Sequence, residues 1–171
     1  MKKKEKKNFA YIDGANLHRG VQDLGWKIDY FRLRGWLKNK YAVEHAYIFI
    51  GLVPKYKELY TMLQEAGFTL IFKETVYDGD GKIKGNCDAD LVLHVVKDAY
   101  EEEFDRAIIV SGDGDYAGLV SFLHNRKKLL AVLAPNSKKC SILLKRTGAP
   151  ITYLSEVSEK LKRKSPHRSR A

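Results

Sequence analysis

Asp113 and Asp115 stand two positions apart at the end of the stretch Arg106-Ala107-Ile108-Ile109-Val110-Ser111-Gly112-Asp113-Gly114-Asp115. Gly112 and Gly114 let the backbone fold tightly there and come close to whatever the carboxylates hold. Two acids so near one another repel unless a cation, a proton or a basic group compensates. A hard divalent cation is the simplest compensation, because Mg²⁺ and Mn²⁺ prefer carboxylate oxygens. The plainer alternative is a turn whose acids cap the next helix, Tyr116 to Asn125. This stretch alone does not separate the two readings, so the other acids must decide.

Asp13 closes the apolar run Asn8 to Ile12 in the same way that Asp113 follows Ala107 to Val110. A third acid comes from a helix expected over Asp88 to Glu102. Asp88 shares a helical face with Leu91, Val92 and Val95, the face that should meet a sheet. Asp90 lies about 200° further round, near His94 and Lys97. Only one of the pair can enter a common crevice, and Asp88 is the better choice. Asp90 then serves as a dipole-stabilising acid, an outer partner or an alternative ligand. A carboxylate at a sheet-facing position is costly unless something charged compensates it, which strengthens the metal reading.

Other polar residues stand close to these acids. Asn16, one helical turn after Asp13, could hold a metal-bound water or a phosphate oxygen, or only start a helix. Lys84 could meet a phosphate or remain a solvated lysine. Ser111 could offer its hydroxyl or simply end a strand. Tyr77 or Tyr116 could stack on a base, although packing is the simpler role for each.

The elements that must position these groups alternate. Strands are expected at 8–12, 46–53, 68–72, 107–110 and 129–133, with a short sixth at 151–154. Helices are expected at 14–24, 28–40, from Pro54 to Gly67, from 88, from 115 and at 137–145, with a last one entering the basic tail. Apolar runs rather than strict alternation indicate a parallel sheet covered on both faces. In a doubly wound sheet of order 3-2-1-4-5, an order assumed here, strands one and four are neighbours at the switch point. Ligands bind beyond the strand C-termini at that point, so Asp13 and Asp113 fall in one crevice. Residues 74–86 read as a small hairpin or flap. Their Asp-Gly repeat is not an EF-hand, because the twelfth position counted from Asp78 is Ala89.

Composition narrows the function. A chain of 171 residues is expected to form one domain, 8–159. Residues 1–7 carry +4 and residues 160–171 carry +6, while the remainder has 20 basic and 20 acidic residues. Two basic tails of this kind suit salt-sensitive contact with nucleic acid, or merely aid solubility. No apolar run suggests a membrane span or a secretory leader. Cys87 and Cys140 form no CxxC pair, which disfavours structural zinc and fits a reducing compartment such as the cytoplasm. The histidines have no metal-ligand spacing to one another. No P-loop, GxGxxG or defensible Ser-His-Asp order is present.

Tyr11-Ile12-Asp13-Gly14-Ala15-Asn16-Leu17, Lys84-Gly85-Asn86-Cys87-Asp88-Ala89-Asp90 and Val110-Ser111-Gly112-Asp113-Gly114-Asp115-Tyr116 together resemble the NYN domain family. These are LabA-like members of the PIN-like nuclease superfamily. The similarity spans roughly residues 8–155, and 134–144 also resembles the family's late segment. The resemblance implies a three-layer α/β/α PIN-like Rossmannoid fold with a mostly parallel central sheet. It implies a ribonuclease dependent on Mg²⁺ or Mn²⁺, acting on RNA and leaving a 5′-phosphate and a 3′-hydroxyl. Carried over by motif, Asp13, Asp88, Asp113 and Asp115 form the acidic metal site, and Asn16 matches the family's polar position.

Two rivals remain. One is an RNA-binding adaptor of the same fold with negligible turnover. The other is a small-molecule phosphohydrolase, ranked lower because that chemistry favours a second acid two residues after the first, where this chain has Ala15. The RNA is expected to be single-stranded, and homo-oligomerisation is left open.

Overall fold

A computed structural model describes residues 7–74, 76–81, 83–84 and 87–164. Six strands form one parallel sheet: β1 (Asn8–Asp13), β2 (Val43–Gly51), β3 (Thr69–Lys73), β6 (Arg106–Val110), β7 (Leu129–Ala134) and β8 (Ile151–Tyr153). Their order is β3-β2-β1-β6-β7-β8. Counted by main strands alone, this is the expected 3-2-1-4-5 order, with the sixth strand added beyond the fifth. The numbers β4 (Val76–Tyr77) and β5 (Ile83–Lys84) belong to a separate antiparallel hairpin within the expected flap.

Alternation along β1 explains the three layers. Ala10 and Ile12 point to one face, Phe9 and Tyr11 to the other. The first face is covered by α1 (Gly14–Gln22), α2 (Tyr30–Tyr41), α3 (Lys57–Glu65) and α7 (Ser158–Leu161). These bring Leu17, Val21, Leu33, Leu37, Leu63 and Leu161 onto Ile48, Ile108 and Leu133. The second face receives α4 (Asp88–Tyr100), α5 (Ala117–Asn125) and α6 (Ile142–Arg146). Their Leu91, Val95, Leu119, Leu123 and Leu144 pack on Phe49, Ile109 and Val132. The central strands are therefore apolar on both sides, as parallel sheets require. Among the described residues, no helix is long and apolar enough to cross a membrane.

Several expected boundaries move: β2 runs Val43–Gly51 rather than 46–53, and the helix expected from 115 opens with the 3-10 turn Gly114–Tyr116 before α5. The late helix expected over 137–145 starts only at Ile142, where the Ser141 hydroxyl accepts the Leu143 N–H at 3.2 Å as a cap. The residues before it form a loop at the end of β7. The chain also remains packed past 159, inside the stretch read as a basic tail. Leu161 is fully buried, its carbonyl accepts the Asp29 N–H at 2.8 Å, and Ile28 and Lys162 form an antiparallel bridge. One apolar side chain and two backbone contacts anchor this charged stretch against α2. The remaining tail residues, 1–6 and 165–171, lie outside the described residues.

Candidate metal centre and adjoining groove

The site forms where β1 and β6 end side by side. Asp13 follows Tyr11 in the β1 alternation and so faces the α4 side of the sheet. It also caps α1: Oδ1 accepts the Asn16 N–H at 3.0 Å. Gly14 makes this turn possible, because a Cβ there would lie 3.0 Å from the Phe49 carbonyl oxygen and 3.1 Å from Ile48 Cγ2. Asp13 is 7% exposed. Burial raises its carboxyl above the usual range and the nearby Asp88 charge adds to this, while the Asn16 N–H opposes both.

The first turn of α4 places Asp88 toward this point. Tyr116, fully buried in the 3-10 turn Gly114–Tyr116, donates its hydroxyl to Asp88 Oδ1 at 2.6 Å. The same hydroxyl lies 3.2 Å from Asp13 Oδ2. Burial and the two acids push the Tyr116 phenol far up, so it remains a proton donor. Asp113 caps the same turn, with Oδ1 accepting the Asp115 N–H at 3.0 Å. Single oxygens of Asp88, Asp113 and Asp115 all lie within 4.8 Å of one another. An all-oxygen donor set suits a hard divalent cation. Asp13 is not part of that trio; it joins through Tyr116, whose hydroxyl oxygen lies beside Asp13 Oδ2, while Oδ1 accepts the Asn16 N–H.

The other expected residues fall as follows. Asp90 turns aside to Lys73, 3.0 Å away. Ser111 is fully buried, and its Oγ accepts the Asp113 N–H at 3.1 Å, which shapes the turn. Tyr77 is 68% exposed on the hairpin, whereas Tyr116 has no face open for stacking. The side chain of Lys84 lies outside the described residues. Cys87, just before α4, is pushed up to about 11 by burial and then by the surrounding acids, Asp13 foremost. Its thiol therefore stays protonated at neutral pH and is a poor nucleophile.

Helix α1 and two loops are fastened together here. Asn16 Oδ1 accepts the Gly112 N–H at 2.9 Å, and the Gly112 carbonyl accepts the Ser141 N–H at 3.0 Å. Gly114 abuts Ser141 so closely that a Cβ would sit 2.4 Å from its Oγ. Gly20 in α1 likewise meets Pro135, 2.5 Å from where a Cβ would stand. Between α1 and these loops runs a groove of about 700 Å³, within the range of small-ligand sites. Asp113 and Asp115 line one part of it, and Asn16, Arg19, Asn136 and Lys139 also contribute. Sequence reasoning missed the bridging role of Tyr116 and the groove residues Arg19, Asn136 and Lys139. A usable signal existed for Asn136, which follows a buried strand end much as Asn16 follows Asp13.

The comparisons agree with this architecture. The "Low amplitude and bright protein LabA" of Synechococcus elongatus is 25% identical over 134 residues, covering 72% of this chain and 71% of that protein. A crystal structure of a protein of unknown function from Vibrio parahaemolyticus overlays with a TM-score of 0.78 at 23% identity. It covers 95% of this chain and 100% of that one, which shows a shared fold. A T5 5′-exonuclease mutant overlays at a TM-score of only 0.41, 14% identical, over 80% of this chain and 52% of that one; this is too loose to define a shared fold. Residues 9–151 match the NYN domain, and with the α/β architecture and the strand-end acids in place, this chain belongs to the NYN domain family.

Proposed function

We propose that this protein is a metal-dependent ribonuclease that hydrolyses phosphodiester bonds of single-stranded RNA. The observation that carries the proposal is the convergence of Asp88, Asp113 and Asp115, with oxygens within 4.8 Å, at the switch point of a parallel sheet. Mg²⁺ or Mn²⁺ held by these acids would lower the pKa of a water and neutralise charge on the scissile phosphate. Family membership supports the same chemistry.

The chain's own residues have distinct tasks in this reading. Asp88, Asp113 and Asp115 supply the ligand oxygens. Tyr116 holds Asp88 in place through a short hydrogen bond and separates it from Asp13. Asp13 fixes the start of α1, which places Asn16 at the groove. The basic termini of the sequence add backbone affinity, sensitive to salt.

The test is cleavage of a labelled single-stranded RNA with Mn²⁺, Mg²⁺ or EDTA, comparing wild type with Asp113→Asn. Metal-dependent cleavage that is lost in the folded variant is the expected result. Cleavage surviving the substitution would remove Asp113 from the chemistry. The position of Asp13 outside the acid trio, with its Oδ1 held by the Asn16 N–H, favours one second reading, an RNA-binding adaptor with negligible turnover. RNA binding without cleavage in any of these metals would establish it.

A further inference from the structure

Asn136 is 5% exposed, yet it lines the groove beside the acids. Its Oδ1 accepts the Lys138 N–H at 3.0 Å, which fixes the orientation of the amide because only the oxygen can accept. The two N–H donors at Nδ2 have no partner among the described residues, and the nitrogen is not sealed from the groove. A nearly buried amide with unmet donors is costly unless water or a ligand satisfies it.

Asn16 repeats the arrangement across the groove. Its Oδ1 is held by the Gly112 N–H at 2.9 Å, so its Nδ2 is likewise the end left to donate. Two cationic side chains share the same groove. Arg19 is exposed, and Lys139 is paired with Asp23 at 2.6 Å. The groove thus combines three acids, Asp113, Asp115 and the Asp23 that pairs with Lys139, with hydrogen-bond donors on Asn16, Arg19, Asn136 and Lys139. Such donors match phosphate oxygens, and backbone recognition of this kind sets register on a nucleic acid.

We propose that Asn136, with Asn16, Arg19 and Lys139, binds a phosphate of single-stranded RNA that neighbours the one at the acid cluster. Asn136 acts as the nearly buried donor and the two cations act as the salt-sensitive part. The inference rests on the ribonuclease reading for its choice of ligand, and it adds a second phosphate position to the metal centre.

Binding and cleavage are measured separately. Binding uses a fluorescein-labelled ten-residue oligouridylate and anisotropy, in the full chain carrying Asp113→Asn so that the RNA stays intact. Adding Asn136→Asp keeps an oxygen for the Lys138 N–H but replaces the donor with an anionic oxygen. The expected result is a variant that still melts cooperatively, with RNA affinity weakened by about tenfold or more. Arg19→Ala should reduce the slope of log Kd against log salt by about 0.7, the value for one phosphate contact on a single strand.

A purely structural Asn136 gives a different pattern. Asn136→Ala then lowers the melting temperature, while Asn136→Asp restores both stability and RNA affinity; that outcome overturns the proposal. So does a parent protein that binds no oligouridylate. If wild type cleaves RNA while Asn136→Asp leaves binding intact, only this inference falls. If wild type binds, loses affinity with Asn136→Asp and never cleaves, the groove assignment stands and the ribonuclease reading falls.

Discussion

The hydroxyl of Tyr116 lies 2.6 Å from Asp88 Oδ1 and 3.2 Å from Asp13 Oδ2, so one buried proton separates two carboxylates from different elements. Tyr116→Phe removes that donor and leaves the acids facing each other. Losing a hydrogen bond to a buried acid costs about 1–3 kcal/mol. For a chain of this size, each kcal/mol lowers Tm by about 2–4 °C. Because a cation then relieves more repulsion, Mn²⁺ should raise the Tm of Tyr116→Phe by more than it raises that of wild type. Calorimetry with and without Mn²⁺ checks both expectations, and an equal Mn²⁺ shift in the two proteins would refute the second.

Asp13 should make metal-free stability depend on pH. Burial holds its folded carboxyl above the ordinary value of 3.8, so the folded state keeps its proton more tightly than the unfolded state does. The resulting stabilisation is present at low pH and is lost as pH rises through the raised value. Asp13→Asn removes this loss, keeps an acceptor for the Asn16 N–H and can donate to the Tyr116 oxygen. In EDTA the variant should melt above wild type at pH 7, with the gap closing toward pH 4. A gap that stays constant across that range would contradict the assignment.

Asp88 and Asp90 should differ sharply despite their closeness in sequence. Asp90 forms a half-exposed pair with Lys73, and such pairs contribute about 0–1 kcal/mol. Asp90→Asn should leave RNA cleavage within about threefold, because Asp90 is outside the acid trio. Asp88→Asn removes a proposed ligand and should reduce cleavage by about a hundredfold or more. Initial rates under matched Mn²⁺ separate the two, and similar losses in both would undo the distinction.

Gly114 is required by space. A Cβ would meet Ser141 Oγ at 2.4 Å, Ser141 Cβ at 3.1 Å and Leu143 Cδ1 at 3.2 Å. Ser141 cannot swing away freely, since its Oγ caps α6. Gly114→Ala should cost about 1–3 kcal/mol through overpacking. It should also weaken Mn²⁺ binding by moving Asp115 relative to Asp113. Thermal unfolding and Mn²⁺ titration of the folded variant test this, and wild-type values in both would show that the loop yields without consequence.

Much of this architecture can be read from local pattern. Apolar runs such as Ala107 to Val110 signal buried parallel strands, and helical periodicity distinguishes Asp88 from Asp90 because Leu91 and Val95 mark the buried face. What pattern cannot carry is the identity of the opposing group. Tyr116 reads as a core aromatic until Asp13 and Asp88 are seen across from it. Asn136 follows a buried strand end as Asn16 does, and its burial at the groove that Asp113 lines gives that position its meaning. A last helix entering the basic stretch is legible, but the burial of Leu161 is not, since one apolar residue among charges makes no periodicity.

The fastening of Asn16 to Gly112 and of Gly112 to Ser141 has a bearing on synthesis. The first contact spans 96 positions, and Tyr116 reaches back 103 positions to Asp13. Long-range pairing of this sort forms late, because the intervening loop must close first. During translation, Asp13 and Asn16 emerge long before the residues that complete their surroundings. The acid trio cannot assemble until α4 and the 3-10 turn are both outside the ribosome, and its backing loop waits for Ser141. A nascent chain surrounded by RNA is thereby kept from holding the finished site until most of the sheet has been made.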